Sequence, residues 1–106
     1  MHDITATELA ARIARGDDLV LLDVREEEEI ALSRIEGSTF IPLWELEERA
    51  GELAPMRDRD IIALCHTGLR STQATEVLAD CGYHRVRSLR GGLEAYAEVD
   101  PKVARY

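Results

Sequence analysis

The sequence predicts an α/β domain of three layers, a mainly parallel sheet held between helices, and three observations carry that prediction. Two near-continuous apolar runs, at residues 19–24 and 61–64, lack the in–out alternation of a half-covered strand and suit strands buried on both faces. Helical periodicities lie between the β-like pieces, so strand and helix alternate along the chain, the order that builds parallel sheets. Finally, 106 residues are enough for one ordinary core, burying roughly two thirds of the unfolded surface, and too few for two, so residues 1–106 are expected to form a single domain.

The elements follow in order. Thr5 and Glu8 have the spacing of a capping box, and Ala6, Leu9, Ala10 and Ile13 then fall on one helical face until Gly16, giving a helix over about residues 6–15. The run at 19–24 is the first expected strand. A short β piece at 39–41 stops at Pro42, and Leu43, Leu46 and Ala50 mark a helical face after it. Residues 61–64 form the next strand. The helix that starts at about Arg70 or Ser71 carries Ala74, Val77, Leu78 and Cys81 on its inner face. Gly82 is its natural cap, with Tyr83 folding back on the last turn. A last strand at 85–89 ends before Gly91 and Gly92.

Composition excludes several function classes. Thirteen basic against 21 acidic side chains give a net charge of −8, and the densest run of charge, Glu26 to Glu29, has the wrong sign for a nucleic-acid partner. That run reads as a solvated face. No apolar stretch is long enough to span a bilayer, and Met1, His2 and Asp3 do not open a secretory signal. Cys65 and Cys81 make no disulfide framework, so a reducing, cytoplasmic setting is expected. The helix between them, about 11 residues at ~1.5 Å each, also holds them too far apart for a redox pair. Cys81 is read as core. His2, His66 and His84 have no paired ligand spacing with either cysteine, so no metal is expected. Trp44 suits packing against the sheet as well as it suits flanking a pocket.

The chemistry concentrates in the segment Cys65, His66, Thr67, Gly68, Leu69, Arg70, Ser71. A cysteine placed between a buried strand and a helix N-terminus faces unpaired amides of the first helical turn, and the helix dipole favours negative charge there. Both stabilise a thiolate, the nucleophilic form. Gly68 lets the loop turn its amides inward, and Arg70 adds a fixed positive charge near the mouth. The local expectation is therefore an electropositive notch in an acidic body. A strand-end cysteine is by itself more often core packing than nucleophile, but a core cysteine needs no polar, glycine-containing turn closed by an arginine.

With its flanks, this loop resembles the rhodanese (sulfurtransferase) superfamily. The matching pieces are Leu21-Leu22-Asp23-Val24-Arg25-Glu26 with Glu29, then Ile35-Glu36-Gly37-Ser38, Ile41-Pro42-Leu43, the Cys65 to Ser71 loop, and Leu89-Arg90-Gly91-Gly92-Leu93. The resemblance implies a rhodanese-like three-layer domain with a mainly parallel five-stranded sheet flanked by helices. It implies that Cys65 accepts a sulfane sulfur as a persulfide and passes it to a nucleophilic acceptor, with the amides of His66 to Ser71 as cradle and Asp23 and Arg25 as structural support. Arg25 and Glu29 also have the i, i+4 spacing of a surface ion pair, worth little; the structural role is favoured. No cofactor is implied. The chain departs from the family pattern at Ser33-Arg34-Ile35, at Tyr96 and, in the tail, at Lys102 and Ala104.

The expected donors are a small anionic sulfur compound such as thiosulfate or a protein persulfide, and the expected acceptors are cyanide, thiols or a sulfur-carrier protein. The tail from Val99 to Tyr106 is similar to those of rhodanese domains fused to adenylating enzymes that charge such carriers, so an adenylating enzyme or a cysteine desulfurase is an expected partner. A monomer is expected. Two alternatives compete: a non-catalytic rhodanese-like binding or regulatory module, and a cysteine-dependent phosphatase. Phosphatases of the related fold close their loop with Arg six positions after the Cys. Here Ser71 stands at six and Arg70 at five, a loop one residue shorter and a cradle smaller than a phosphate monoester needs.

Overall fold

Strand β4 (Asp60–Leu64) shows why the apolar run had no alternation. Ile61, Ala63 and, just beyond the strand, Cys65 belong to one core, whereas Ile62 and Leu64 belong to a second core on the opposite face. The computed structural model describes residues 3–106. Around β4 lie β1 (Asp3–Ile4), β2 (Leu19–Asp23), β3 (Thr39–Phe40) and β5 (Val86–Leu89), in the order β1-β5-β4-β2-β3, with every pairing parallel. Helices α1 (Ala6–Ala14) and α5 (Gly92–Tyr96) cover one face, and α3 (Leu46–Arg49) and α4 (Leu69–Asp80) the other. The sheet therefore sits between two helical layers, as expected.

The capping box at α1 is present in full, Thr5 Oγ1 accepting from the Glu8 amide at 3.1 Å and Glu8 Oε1 from the Thr5 amide at 2.9 Å. At the end of α4 the Tyr83 amide donates to Leu78 O at 2.9 Å, and its buried hydroxyl donates to Ala50 O at 2.5 Å, which ties the helix end to the layer beside it.

Several expectations change. The acidic run opens a helix: Glu26 is the extended N-cap of α2 (Glu27–Leu32), and Glu27 to Glu29 form its first turn, where negative charge complements the helix dipole. Strand β1 is too short for a pattern and exists because Ile4 pairs with Leu89. The helix after Pro42 breaks into a 3₁₀ turn (Leu43–Glu45), the single turn α3, and a 3₁₀ stretch (Ala50–Met56). Pro55 lies in that stretch, where it has no amide to donate. Helix α4 begins at Leu69, a residue earlier than expected. Cys81 is half-buried at its C-terminus rather than central in the core. Trp44, 73% exposed, does not pack on the sheet and stands at the rim of a cleft with Glu26 and Phe40. No helix among the described residues is long and apolar enough to cross a membrane.

Candidate active site

Because all strands run parallel, the segments following β2, β4 and β5 meet at one edge of the sheet, the edge where ligands bind in open α/β folds. Asp23 with Arg25, the Cys65 loop, and Gly91 with Gly92 all lie there. Cys65 is 1% exposed. Its Sγ accepts the Gly68 amide at 3.0 Å, and its thiol points at Ser71 Oγ, 3.4 Å away. Ser71, fully buried, shares a 2.6 Å hydrogen bond with Ser88 of β5 and donates to Gly68 O at 3.2 Å. Of the six residues expected to form the cradle, Gly68 brings its amide and Ser71 its hydroxyl to the sulfur, among the described residues. The amides of Leu69, Arg70 and Ser71 occupy the first turn of α4, where no helical carbonyl can reach them.

Gly68 caps α4 with φ of +108°, a conformation that side-chain-bearing residues rarely adopt. Behind the loop, the amides of Leu93 and Glu94 donate to Cys65 O at 2.8 Å and His66 O at 3.0 Å. In a trans peptide the N–H runs opposite to the C=O, so these bonds turn the His66 and Thr67 amides away from α5. Only glycine fits at position 92: its φ is +63°, and an added Cβ would lie 2.3 Å from His66 O.

Asp23 and Arg25 form a fully buried bidentate pair, with Nε to Oδ1 at 2.9 Å and Nη2 to Oδ2 at 2.7 Å. Arg25 also donates to Ser33 O at 2.6 Å and to the backbone carbonyl of Glu29 at 3.3 Å. The alternative of an Arg25–Glu29 surface pair is therefore corrected: the Glu29 carboxylate turns to Arg70 instead. Arg70 Nη1 and Nη2 donate to its two oxygens at 2.5 and 2.8 Å. The carboxylate also accepts the Glu26 amide at 3.1 Å and the Tyr106 hydroxyl at 2.9 Å. Arg70 foremost holds the Glu29 carboxyl down to about 2. Burial pushes the Tyr106 phenol up to about 12, so it stays a donor. The expected free positive charge at the mouth is thus offset by a carboxylate.

The Tyr106 ring stacks on His66, with centroids 4.1 Å apart and planes 21° off parallel, and it lies 5.2 Å from the Arg25 guanidinium carbon. Thr67 and Leu69 are exposed at the loop's outer side. No group of three or more His, Cys, Asp or Glu among the described residues is placed to hold a metal ion, and His2 lies outside the described residues. Sequence reasoning missed Ser88 and gave Tyr106 no place beside the loop. In β5, Val86-Arg87-Ser88-Leu89, the serine stands beside an exposed arginine, so polarity alone does not mark Ser88 as a buried partner of the loop; nothing local marks Tyr106 as a neighbour of His66.

A family model for the rhodanese-like domain matches residues 5–99. The chain belongs to the rhodanese-like family. A sulfurtransferase of Allochromatium vinosum is 36% identical to this rhodanese-like chain over 97 residues, covering 92% of the chain and 89% of that protein. The thiosulfate sulfurtransferase PspE of Escherichia coli is 35% identical over 82 residues, 77% of this chain and 76% of its own length. Among solved structures, a rhodanese-related protein from Thermoplasma volcanium superposes with a TM-score of 0.85 at 30% identity, covering 100% of both chains. The family carries a sulfurtransferase role, and this rhodanese-like sheet, with its helices on both faces, is the shared architecture.

Proposed function

We propose that the protein moves sulfane sulfur in two half-reactions through a persulfide on Cys65. The observation that carries this reading is the position of Sγ, at the junction of β4 and α4, with the Gly68 amide donating to it at 3.0 Å. An amide donor and a helix N-terminus both stabilise a sulfur anion. In the first half-reaction the Cys65 thiolate attacks the outer sulfur of a donor. With thiosulfate the S–S bond breaks and sulfite leaves with the bonding pair; with a hydropersulfide the donor thiolate leaves. In the second, an acceptor such as cyanide or a thiolate takes the outer sulfur and returns the Cys65 thiolate. The first-turn amides of Leu69, Arg70 and Ser71 support the outer sulfur, which extends from Sγ toward the helix.

Thiosulfate or a protein persulfide is the donor, and cyanide, thiols or a sulfur-carrier protein the acceptor, in this reading. The similarity of the 99–106 tail to domains fused to carrier-charging adenylating enzymes favours a protein at one of the two steps. Two unpaired cysteines fit a reducing cytoplasm. The reading is tested by intact mass after incubation with thiosulfate or a hydropersulfide. One added sulfur atom, removed by cyanide and absent in Cys65→Ser, is expected; equal loading of Cys65→Ser would overturn it.

A further inference from the structure

Arg70, in the first turn of α4 and near enough to Cys65 for their charges to interact, already holds an anion. Glu29 receives four donors: both outer nitrogens of Arg70, the Glu26 amide and the Tyr106 hydroxyl. Its carboxylate sits in a planar fork on Arg70, the geometry in which a guanidinium would otherwise grip an anionic substrate. Arg70 is 30% and Glu29 19% exposed, so the pair is only partly open to screening water. The arrangement is fastened to the loop at both ends. His66 stacks on Tyr106, Tyr106 donates to Glu29, and Glu29 binds Arg70, a chain of contacts that leaves the loop next to Cys65 and returns to it at the first turn of α4.

We propose that Glu29 is a specificity-determining, positioning residue that acts through Arg70 to disfavour small dianionic sulfur donors and leave the site to uncharged hydropersulfides. The inference rests on the sulfurtransferase reading and names its donor class. Charge decides the direction. A Cys65 thiolate meeting thiosulfate assembles three negative charges beside Glu29, and sulfite carries two of them away. The same thiolate meeting a hydropersulfide assembles one: the outer sulfur moves to Cys65 with its proton, and the donor thiolate leaves carrying the charge. With Glu29 seated on Arg70, a dianion must either displace the carboxylate or bind beside it, and like charges at that distance repel.

The test is steady-state sulfur transfer to cyanide with two donors, thiosulfate and benzyl hydropersulfide, in the parent, Glu29→Gln, Glu29→Asp and the double variant Glu29→Gln with Arg70→Ala. Glu29→Gln is expected to lower the thiosulfate KM at least tenfold with kcat within threefold, while kcat/KM for benzyl hydropersulfide stays within threefold. Glu29→Asp, which keeps the charge, is expected to stay close to the parent. The double variant is expected to lose the gain, because the freed guanidinium is what binds the dianion. Tyr106→Phe, which removes a single donor at the periphery, gives a smaller fall in thiosulfate KM in the same direction and serves if Glu29→Gln unfolds. A thiosulfate KM within threefold of the parent in both Glu29→Gln and Tyr106→Phe, with the parent loading sulfur normally, overturns the inference alone. A parent that loads sulfur from neither donor overturns the sulfurtransferase reading and the inference with it.

Discussion

Glu29 closes a run of four glutamates, Glu26 to Glu29, and as a residue type it is indistinguishable from Glu27 or Glu28. What separates them is contact: Glu27 and Glu28 are exposed, and Glu29 turns inward to Arg70. That contact has a pH signature. The native carboxyl lies at about 2 against an ordinary value of 4.5, so the native state favours the ionised form more than the unfolded chain does. A depressed carboxyl contributes stability that is full above the unfolded value and lost as pH falls through 4.5 toward 2. In urea unfolding, the stability difference between the parent and Glu29→Gln is therefore expected to be constant above about pH 5.5 and to shrink below it. A difference unchanged down to pH 2.5 would contradict the pairing. Asp23 and Arg25 follow another logic: both side chains are fully buried, and the pair, with the carbonyls of Ser33 and Glu29 on the guanidinium and the Arg25 amide on the carboxylate, replaces the water that each charge has lost.

Among the elements, the loop after β4 and the start of α5 behave as one unit, because the backbone amides of Leu93 and Glu94 hold the carbonyls of Cys65 and His66. Gly92 makes that approach possible. Gly92→Ala is expected to cost at least about 2 kcal/mol, since it combines a left-handed backbone with a Cβ pressed onto a carbonyl, and to slow sulfur loading at Cys65. Gly51→Ala, where an added Cβ meets nothing within 4 Å, is the control and should change neither. Thermal unfolding and the rate of persulfide formation by mass check both; normal loading in Gly92→Ala would show that α5 does not set the loop. Most elements were legible in sequence because their signals are local. The capping box of α1, the two-sided burial of β2 and β4, and the face of α4 each depend on residues a few positions apart. Helix α2 was not legible, since its charges hide the half-buried Ile30 and Glu29, and neither was β1, whose two residues need β5 as a partner.

Across the whole molecule the charge of −8 acts on any ionic donor before contact. Thiosulfate approaches an acidic body whose one guanidinium at the mouth is already paired, so its capture is opposed at long range. Its kcat/KM is expected to rise about two- to fivefold as ionic strength is raised from about 0.01 to 0.15 M, where the screening length falls from about 30 to 8 Å. For an uncharged hydropersulfide the same titration should be nearly flat. Equal salt dependence for both donors would remove charge as the discriminating factor.

By itself, the sequence determined the three-layer α/β architecture, the β4-loop-α4 setting of Cys65 and the buried character of the strands. Apolar periodicity, caps and glycine-bearing turns act over a handful of residues. The tertiary structure alone decided which side chains face the sulfur and what charge surrounds it. Ser71 meets Ser88 from 17 positions away, Arg70 meets Glu29 from 41, and Tyr106 meets Glu29 from 77. Those pairings follow from the order of strands in the sheet, which brings the ends of β2, β4 and β5 to one edge. A local pattern shows that an arginine stands at a loop, but only the assembled sheet shows that a carboxylate is already bound to it.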